Sequence, residues 1–290
     1  MALEEFLHGG NTVRYTREGA GPPVLMLHNG GTSKEIWAAQ AEALSVRHEV
    51  FCLDLLGFGE SDVPKSGYLI TDHVDLLEAF VEHLDVGRIS VVGNCMGSAM
   101  TLLLADRRPD LFAALVLINP LTAETARRGV VGWAMWIPRV FPRLSIAVSR
   151  MIRAPRLLGP AIVAVQFGPK QWWRGLRSPV PGARVAGATW NRKGRLAALA
   201  ELFTNMEGFE RVDDMRPGPD FPPFAVVWGA SNLGLNPRAG AALNETLRPD
   251  RIEFLPGCGH LPMMEESDVV TAIIEDFVEN PPARSASARC

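Results

Sequence analysis

Val91-Val92-Gly93-Asn94-Cys95-Met96-Gly97-Ser98 is an apolar run that breaks into a glycine-flanked turn and continues as a helix-forming segment. A G-x-C-x-G turn between strand and helix has a physical reason. The turn forces its central residue into a strained backbone, and any large flanking side chain would collide there. The central residue also stands at a helix N-terminus, where the dipole lowers a thiol's pKa. Serine occupies the centre in the G-x-S-x-G form of the turn, and Cys95 occupies it here. The bland alternative is a tight turn around a buried, inert cysteine, since free Cys is among the most buried residue types.

Outward from this turn, short apolar runs alternate with helical patterns. Val24 to Leu27, Val50 to Leu53, Ile89 to Val92, Leu115 to Ile118 and Phe224 to Val227 have strand length and suit parallel strands buried on both faces. A last run, Ile252 to Leu255, is interrupted by Glu253 and reads less cleanly. Asp72 to Leu84, Met96 to Arg107 and Ser267 to Val278 read as helices. The alternation predicts an α/β fold, a mostly parallel sheet flanked by helices.

Between Leu121 and about Gly194 the strand rhythm is lost, and Pro138, Pro142, Pro155, Pro160, Pro169, Pro179 and Pro181 punctuate short amphipathic segments. From Leu121 to Arg195 there are fourteen Lys or Arg against one acid, Glu124, a net +13 that leaves −16 on the rest of the chain. The same stretch holds Trp133, Trp136, Trp172, Trp173 and Trp190, five of the seven tryptophans. A break this sharp predicts a module of separate shape inserted in an acidic scaffold. The expected organisation is a core over 1–120, a helical cap over 121–204, the rest of the core over 205–280 and a disordered tail over 281–290.

Composition narrows the classes. The 290 residues are 47% hydrophobic and 21% charged, ordinary for a soluble globular chain. A net charge of −3 argues against a nucleic-acid binder. Four cysteines make no disulfide framework, and every apolar run ends short of a membrane span. The start, M-A-L-E-E-F-L, lacks the basic and apolar regions of a signal peptide, so a cytoplasmic location is expected.

Three further segments complete a pattern. Leu25-Met26-Leu27-His28-Asn29-Gly30-Gly31 is a strand ending in a glycine-rich turn, Asp54-Leu55-Leu56-Gly57-Phe58-Gly59-Glu60-Ser61 follows the next strand, and Gly257-Cys258-Gly259-His260 follows the last. Together with the Cys95 turn, and in this order, they resemble the α/β-hydrolase fold family with a helical lid inserted after Ile118. The resemblance covers roughly residues 10 to 280. It implies Cys95 as nucleophile and His260 as general base. It implies the backbone N–H groups of Met96 and Gly30 as oxyanion donors, with Asn29 as an adjacent possibility because the chain reads H-N-G-G. His28 is expected to support its loop, and Asp54 and Ser61 to be structural. Cys52 and Cys258 read as packing residues. His48, His73 and His83 have no metal-ligand spacing, and no cofactor is implied.

The chain departs from the family at the acid. The expected position in Trp228-Gly229-Ala230-Ser231-Asn232 holds Asn232, and the alternative place after the preceding strand holds Asn119. Either the site is degenerate, or the set is Cys-His-Asn, as in papain-like proteases. A thiol asks less of its base than a serine hydroxyl, and Asn232 could accept the His260 ring N–H through its amide oxygen.

The resemblance therefore implies an enzyme of acyl chemistry, a thioesterase, esterase or acyltransferase acting through a Cys95 acyl-enzyme. Polyhydroxyalkanoate synthases and dienelactone hydrolase also carry cysteine at the elbow; the first transfers acyl groups and the second hydrolyses a lactone. The alternatives are a biosynthetic lyase or cyclase that reuses the pocket without hydrolysis, and a non-catalytic small-molecule binder on the same fold. The basic, aromatic insert is either a solvated face or a recruiter of something anionic with an apolar payload. An acyl-CoA, an acyl group on an acidic carrier protein and an anionic lipid surface all fit that chemistry.

Overall fold

The computed structural model describes residues 2–153, 163–169, 171 and 191–283. Eight strands form one sheet: β1 (Ala2–His8), β2 (Asn11–Glu18), β3 (Pro23–Leu27), β4 (Glu49–Leu53), β5 (Ile89–Asn94), β6 (Phe112–Ile118), β7 (Phe224–Gly229) and β8 (Arg251–Leu255). Their order is β1-β2-β4-β3-β5-β6-β7-β8. β1 pairs with β2, and β2 with β4, antiparallel; every other pairing is parallel. The six apolar runs of the sequence are the six parallel strands. Central β5 is buried throughout, so no alternation of polar residues shows in its sequence. β8 stands at the sheet edge with Ile252 and Phe254 exposed, which explains its weaker pattern.

Helices cover both faces. α1 (Ala38–Leu44) precedes β4, α2 (Ile70–Leu84) precedes β5, and α3 (Met96–Arg107) connects β5 to β6. Between β6 and β7 lie α4 (Ala123–Arg127), α5 (Val130–Val140), α6 (Pro142–Met151), α7 (Arg195–Leu202) and α8 (Glu207–Asp213). Then follow α9 (Pro237–Leu247), α10 (Pro262–Glu265) and α11 (Ser267–Glu279). One core joins the sheet to α2, α3 and α9; the other joins it to α1 and α11. Pro142 opens α6, as expected of a helix-starting proline, whereas Pro138 lies inside α5 and does not end it. Pro155, Pro160, Pro179, Pro181, Trp172, Trp173, Trp190 and the 284–290 part of the tail lie outside the described residues. No helix among the described residues is long and apolar enough to cross a membrane.

His73 on α2 is buried, and neither ring nitrogen has a hydrogen-bond partner. Burial pulls its pKa down to about 3. Between the ordinary histidine range and that value the unfolded chain takes up a proton that the folded chain refuses, so stability falls as pH falls. His73→Phe should flatten that loss. Relative to its difference from wild type at neutral pH, the variant should gain on the order of 2 kcal/mol near pH 4.5. Denaturation midpoints at the two pH values check it, and parallel pH dependences of the two proteins would contradict it.

Candidate active site

β5 ends at Asn94, α3 begins at Met96, and Cys95 makes the turn between them with φ 54° and ψ −105°. A non-glycine residue there is strained by about 1–3 kcal/mol, and its surroundings must hold it. They do. The Cys95 N–H donates to the Ile118 carbonyl at 2.9 Å. Ser98 Oγ donates to the Gly93 and Ile118 carbonyls at 2.7 and 3.0 Å. The flanking glycines are required by contact: a Cβ on Gly93 would stand 2.6 Å from the Gly97 carbonyl carbon, and one on Gly97 would stand 2.6 Å from the Leu27 carbonyl oxygen.

Cys95, Met96, Asn29, Gly30 and His260 share the wall of one cavity of about 470 Å³ with side chains from the segments between β6 and β7. Leu121, Val131, Leu199, Leu202, Phe203 and Leu233 make most of that wall apolar. A Cβ on Gly30 would lie 3.4 Å from Leu199, 3.5 Å from Leu202 and 4.0 Å from the Met96 sulfur, so the Gly30 backbone packs beside the Met96 side chain on the cavity wall. The Asn29 side chain is committed elsewhere. Its amide nitrogen donates to the Gln166 side-chain oxygen at 2.9 Å and to the Gly30 carbonyl at 3.2 Å, and its oxygen accepts from Thr32 at 2.6 Å.

His28 supports the loop, as its position at a strand end suggested. Its Nε2 accepts the Leu55 N–H at 3.0 Å, which leaves Nδ1–H to donate to the Asn29 carbonyl at 2.8 Å. Asp54 accepts from the backbone N–H groups of Lys34 and Glu60, both at 2.8 Å, and from the Lys34 ammonium at 2.9 Å. Ser61 Oγ donates to the Asp54 carbonyl, so this motif ties β4 to its neighbours.

His260 and Asn232 meet, but not in the sense expected from the sequence. Asn232 Oδ1 accepts the N–H groups of Gly234 and Leu235 at 2.9 and 3.1 Å. Its amide nitrogen is what faces His260 Nδ1, at 3.1 Å. Two backbone donors converge on one atom of the amide and fix which end is oxygen. Nδ1 is therefore an acceptor, and the ring proton sits on Nε2. The expectation that Asn232 accepts the ring N–H through its oxygen is overturned. His260 presents a donor to the cavity, not the lone pair of a base.

The expected lowering of the Cys95 pKa is overturned too. Burial pushes the thiol up to about 12, outweighing the Met96 N–H that lowers it. Burial also pulls His260 down to about 4. At neutral pH the pair is thiol and neutral imidazole, not thiolate and imidazolium. Iodoacetamide at about pH 7 should accordingly label Cys95 no faster than a simple free thiol, with the rate climbing only in strong alkali. Peptide mapping across pH measures it, and fast labelling below neutrality would restore the activated thiol. Cys52 and Cys258 are also buried free thiols pushed up by burial.

Several residues hold the site in ways that the sequence motifs do not announce. Asn119, with φ 45°, accepts the Gly229 N–H and donates to the His260 carbonyl at 3.2 Å, so it pins the histidine loop and does not contact the ring. Asn94 reaches the same carbonyl at 3.4 Å. The His260 N–H donates to the Gln166 carbonyl at 2.7 Å. Buried Glu265 accepts the N–H groups of Gly259 and Gly168, both at 2.8 Å.

Comparison with known proteins agrees with this architecture. A family model described as the alpha/beta hydrolase fold matches residues 22–267. Haloalkane dehalogenase 2 of Mycobacterium tuberculosis is 24% identical over 273 residues, 91% of each chain. An (E)-2-((N-methylformamido)methylene)succinate hydrolase of Acinetobacter baylyi is 30% identical over 127 residues, 43% of this chain and 48% of its own. The crystal structure of the enol-lactonase from Burkholderia xenovorans superposes with a TM-score of 0.75 at 22% identity, covering 96% of this chain and all of the other.

Proposed function

The chain belongs to the alpha/beta hydrolase fold family, and on that premise we propose that it is an enzyme of acyl chemistry whose attacking group is Cys95. The observation that carries this reading is the strained turn: a cysteine held at φ 54° on the wall of an apolar cavity that His260, Gly30 and Met96 also line. Such strain is retained where a side chain must be aimed. In this reading the substrate's carbonyl oxygen sits between the Gly30 and Met96 N–H groups. The Cys95 sulfur bonds to the carbonyl carbon, the leaving alcohol or thiol departs with a proton, and water or a second acceptor releases the acyl group. The inserted helices act as the cap that shapes the acyl pocket. A small apolar ester, thioester or lactone fits a cavity of about 470 Å³. A CoA or carrier-bound acyl group would suit the insert's positive charge, and the relatives compared above include a hydrolase and an enol-lactonase.

The His260 tautomer favours a second reading. With the proton on Nε2, the ring can donate to a substrate oxygen at once, whereas removing the thiol proton needs the other tautomer. Reaching it costs the two backbone hydrogen bonds to Asn232 or sets two donors against each other, each worth about 1–3 kcal/mol when buried. That preference suits an elimination or rearrangement begun by proton donation, with no acyl-enzyme. Intact mass after incubation with short acyl thioesters and an enol lactone separates the readings. An added acyl mass that is absent in Cys95→Ala supports the first. Turnover without an adduct, retained in Cys95→Ala and lost in His260→Ala, selects the second.

A further inference from the structure

The two helices that follow the start of the insert leave an unusual surface. On α5, Trp133 is 84% exposed, and Trp136, Ile137 and Val140 are exposed with it. Phe141 joins α5 to α6, where Leu144, Val148 and Met151 are exposed, the last at 82%. α6 buries no residue at all. Exposed apolar side chains scattered singly need no explanation, but a contiguous set of this size does. Arginines run through it. Residues 121–153 contain Arg127, Arg128, Arg139, Arg143, Arg150 and Arg153 against the single acid Glu124. Glu124 pairs with Arg127 and Arg128, while Arg139, Arg143 and Arg153 have no carboxylate partner among the described residues.

We propose that the α5–α6 hairpin is a docking surface for an anionic lipid membrane. Three features choose this occupant. A twofold contact with a second copy would set a net +5 against itself, so charge disfavours self-association. A soluble acidic protein would satisfy the arginines and leave Trp133 and Met151 in water. A bilayer surface satisfies both: tryptophan and aliphatic side chains enter the boundary between headgroups and acyl chains, and the arginines reach the phosphates along their own alkyl stems. The hairpin also begins at the cavity, since Val130 and Val131 at the start of α5 line it. Docking there would set a wall of the cavity close to the apolar phase from which a poorly soluble ligand would come.

The test is sedimentation of the 290-residue chain with two kinds of vesicle, phosphatidylcholine alone and phosphatidylcholine with about one third phosphatidylglycerol, at physiological salt. The expected result is binding to the anionic vesicles at least about tenfold tighter than to the neutral ones, with a blue shift of tryptophan emission. Trp133→Ser with Trp136→Ser should weaken binding by about tenfold or more, and so should Arg139→Glu with Arg143→Glu. These side chains are solvent-exposed, so the melting temperature should stay near wild type. The arginine pair stands alone as a test should the tryptophan pair prove unstable. Equal partition into both vesicles, or no partition, overturns the proposal. A lipid-free dimer that the same substitutions dissociate also overturns it, and would assign the face to a second copy.

Discussion

Asn232→Asp in a Cys95→Ser background should raise kcat/KM for an activated ester by about 10³-fold, since the reverse loss in a serine triad is ~10⁴. One carboxylate oxygen would keep the Gly234 and Leu235 N–H groups now held by Asn232 Oδ1. The other would face His260 Nδ1 where the amide nitrogen now donates. An acceptor in that place draws the ring proton to Nδ1 and frees Nε2 to take a proton from the nucleophile. The nearby negative charge also raises the His260 pKa from its depressed value of about 4, so the ring becomes a stronger base. With native Cys95 the gain should be smaller, about ten- to hundredfold, because a thiol needs less help than a hydroxyl. It is not negligible, since burial pushes that thiol up to about 12. Measuring native, both single variants and the pair gives the coupling between nucleophile and third residue. No gain from Asn232→Asp with either nucleophile would mean that the His260 tautomer does not limit the reaction.

Gly229→Ala should cost about 3 kcal/mol or more in stability and abolish whatever activity His260 supports. A Cβ on Gly229 would lie 1.8 Å from the Gly259 carbonyl oxygen and 2.8 Å from that of Cys258. Both are backbone atoms, so no side-chain rotation relieves the collision. Either β7 or the histidine loop must move, and the loop moves at the expense of the Asn94, Asn119 and Gln166 bonds that place His260. Gly218→Ala is the control, since its Cβ would meet nothing within 4 Å. Denaturant midpoints of the two variants decide it. A Gly229→Ala protein as stable as wild type would show that the loop is softer than its hydrogen bonds imply.

How much of this was legible in the sequence depends on the range of the interaction. Runs such as Val91-Val92 and Leu115 to Ile118 announce parallel strands because burial on both faces leaves a local apolar signature. The glycines of the Cys95 turn announce themselves because backbone contacts of 2.6 Å tolerate nothing larger. The β1–β2 hairpin leaves no such signature. Its strands mix charge with apolar residues at the sheet edge, and only the turn at Gly9-Gly10, both with positive φ, marks it locally. The state of the site lay further from reach. Which end of Asn232 meets His260 is decided by N–H groups of the Gly234 loop, and the Cys95 pKa by how completely the thiol is buried. Neither is a property of residue type. Gln166 and Gly168 hold the histidine loop through backbone groups, whose hydrogen bonds leave no signal in residue type.

Those last contacts bear on how such a protein can be re-engineered. The histidine belongs to the core by chain connection, yet its own N–H is held by Gln166, and Glu265 clasps the peptides before it and after Gln166 with its two oxygens. Insert and core are thus not interchangeable parts. A chimera that grafts another protein's helices between β6 and β7 would inherit an intact sheet and keep the Asn94 and Asn119 bonds to the histidine loop, but would lose the Gln166 carbonyl that holds the His260 N–H and the Gly168 peptide that Glu265 holds. Refitting the graft would require two peptide groups in register with the loop at 257–260 before any change to the pocket lining could matter.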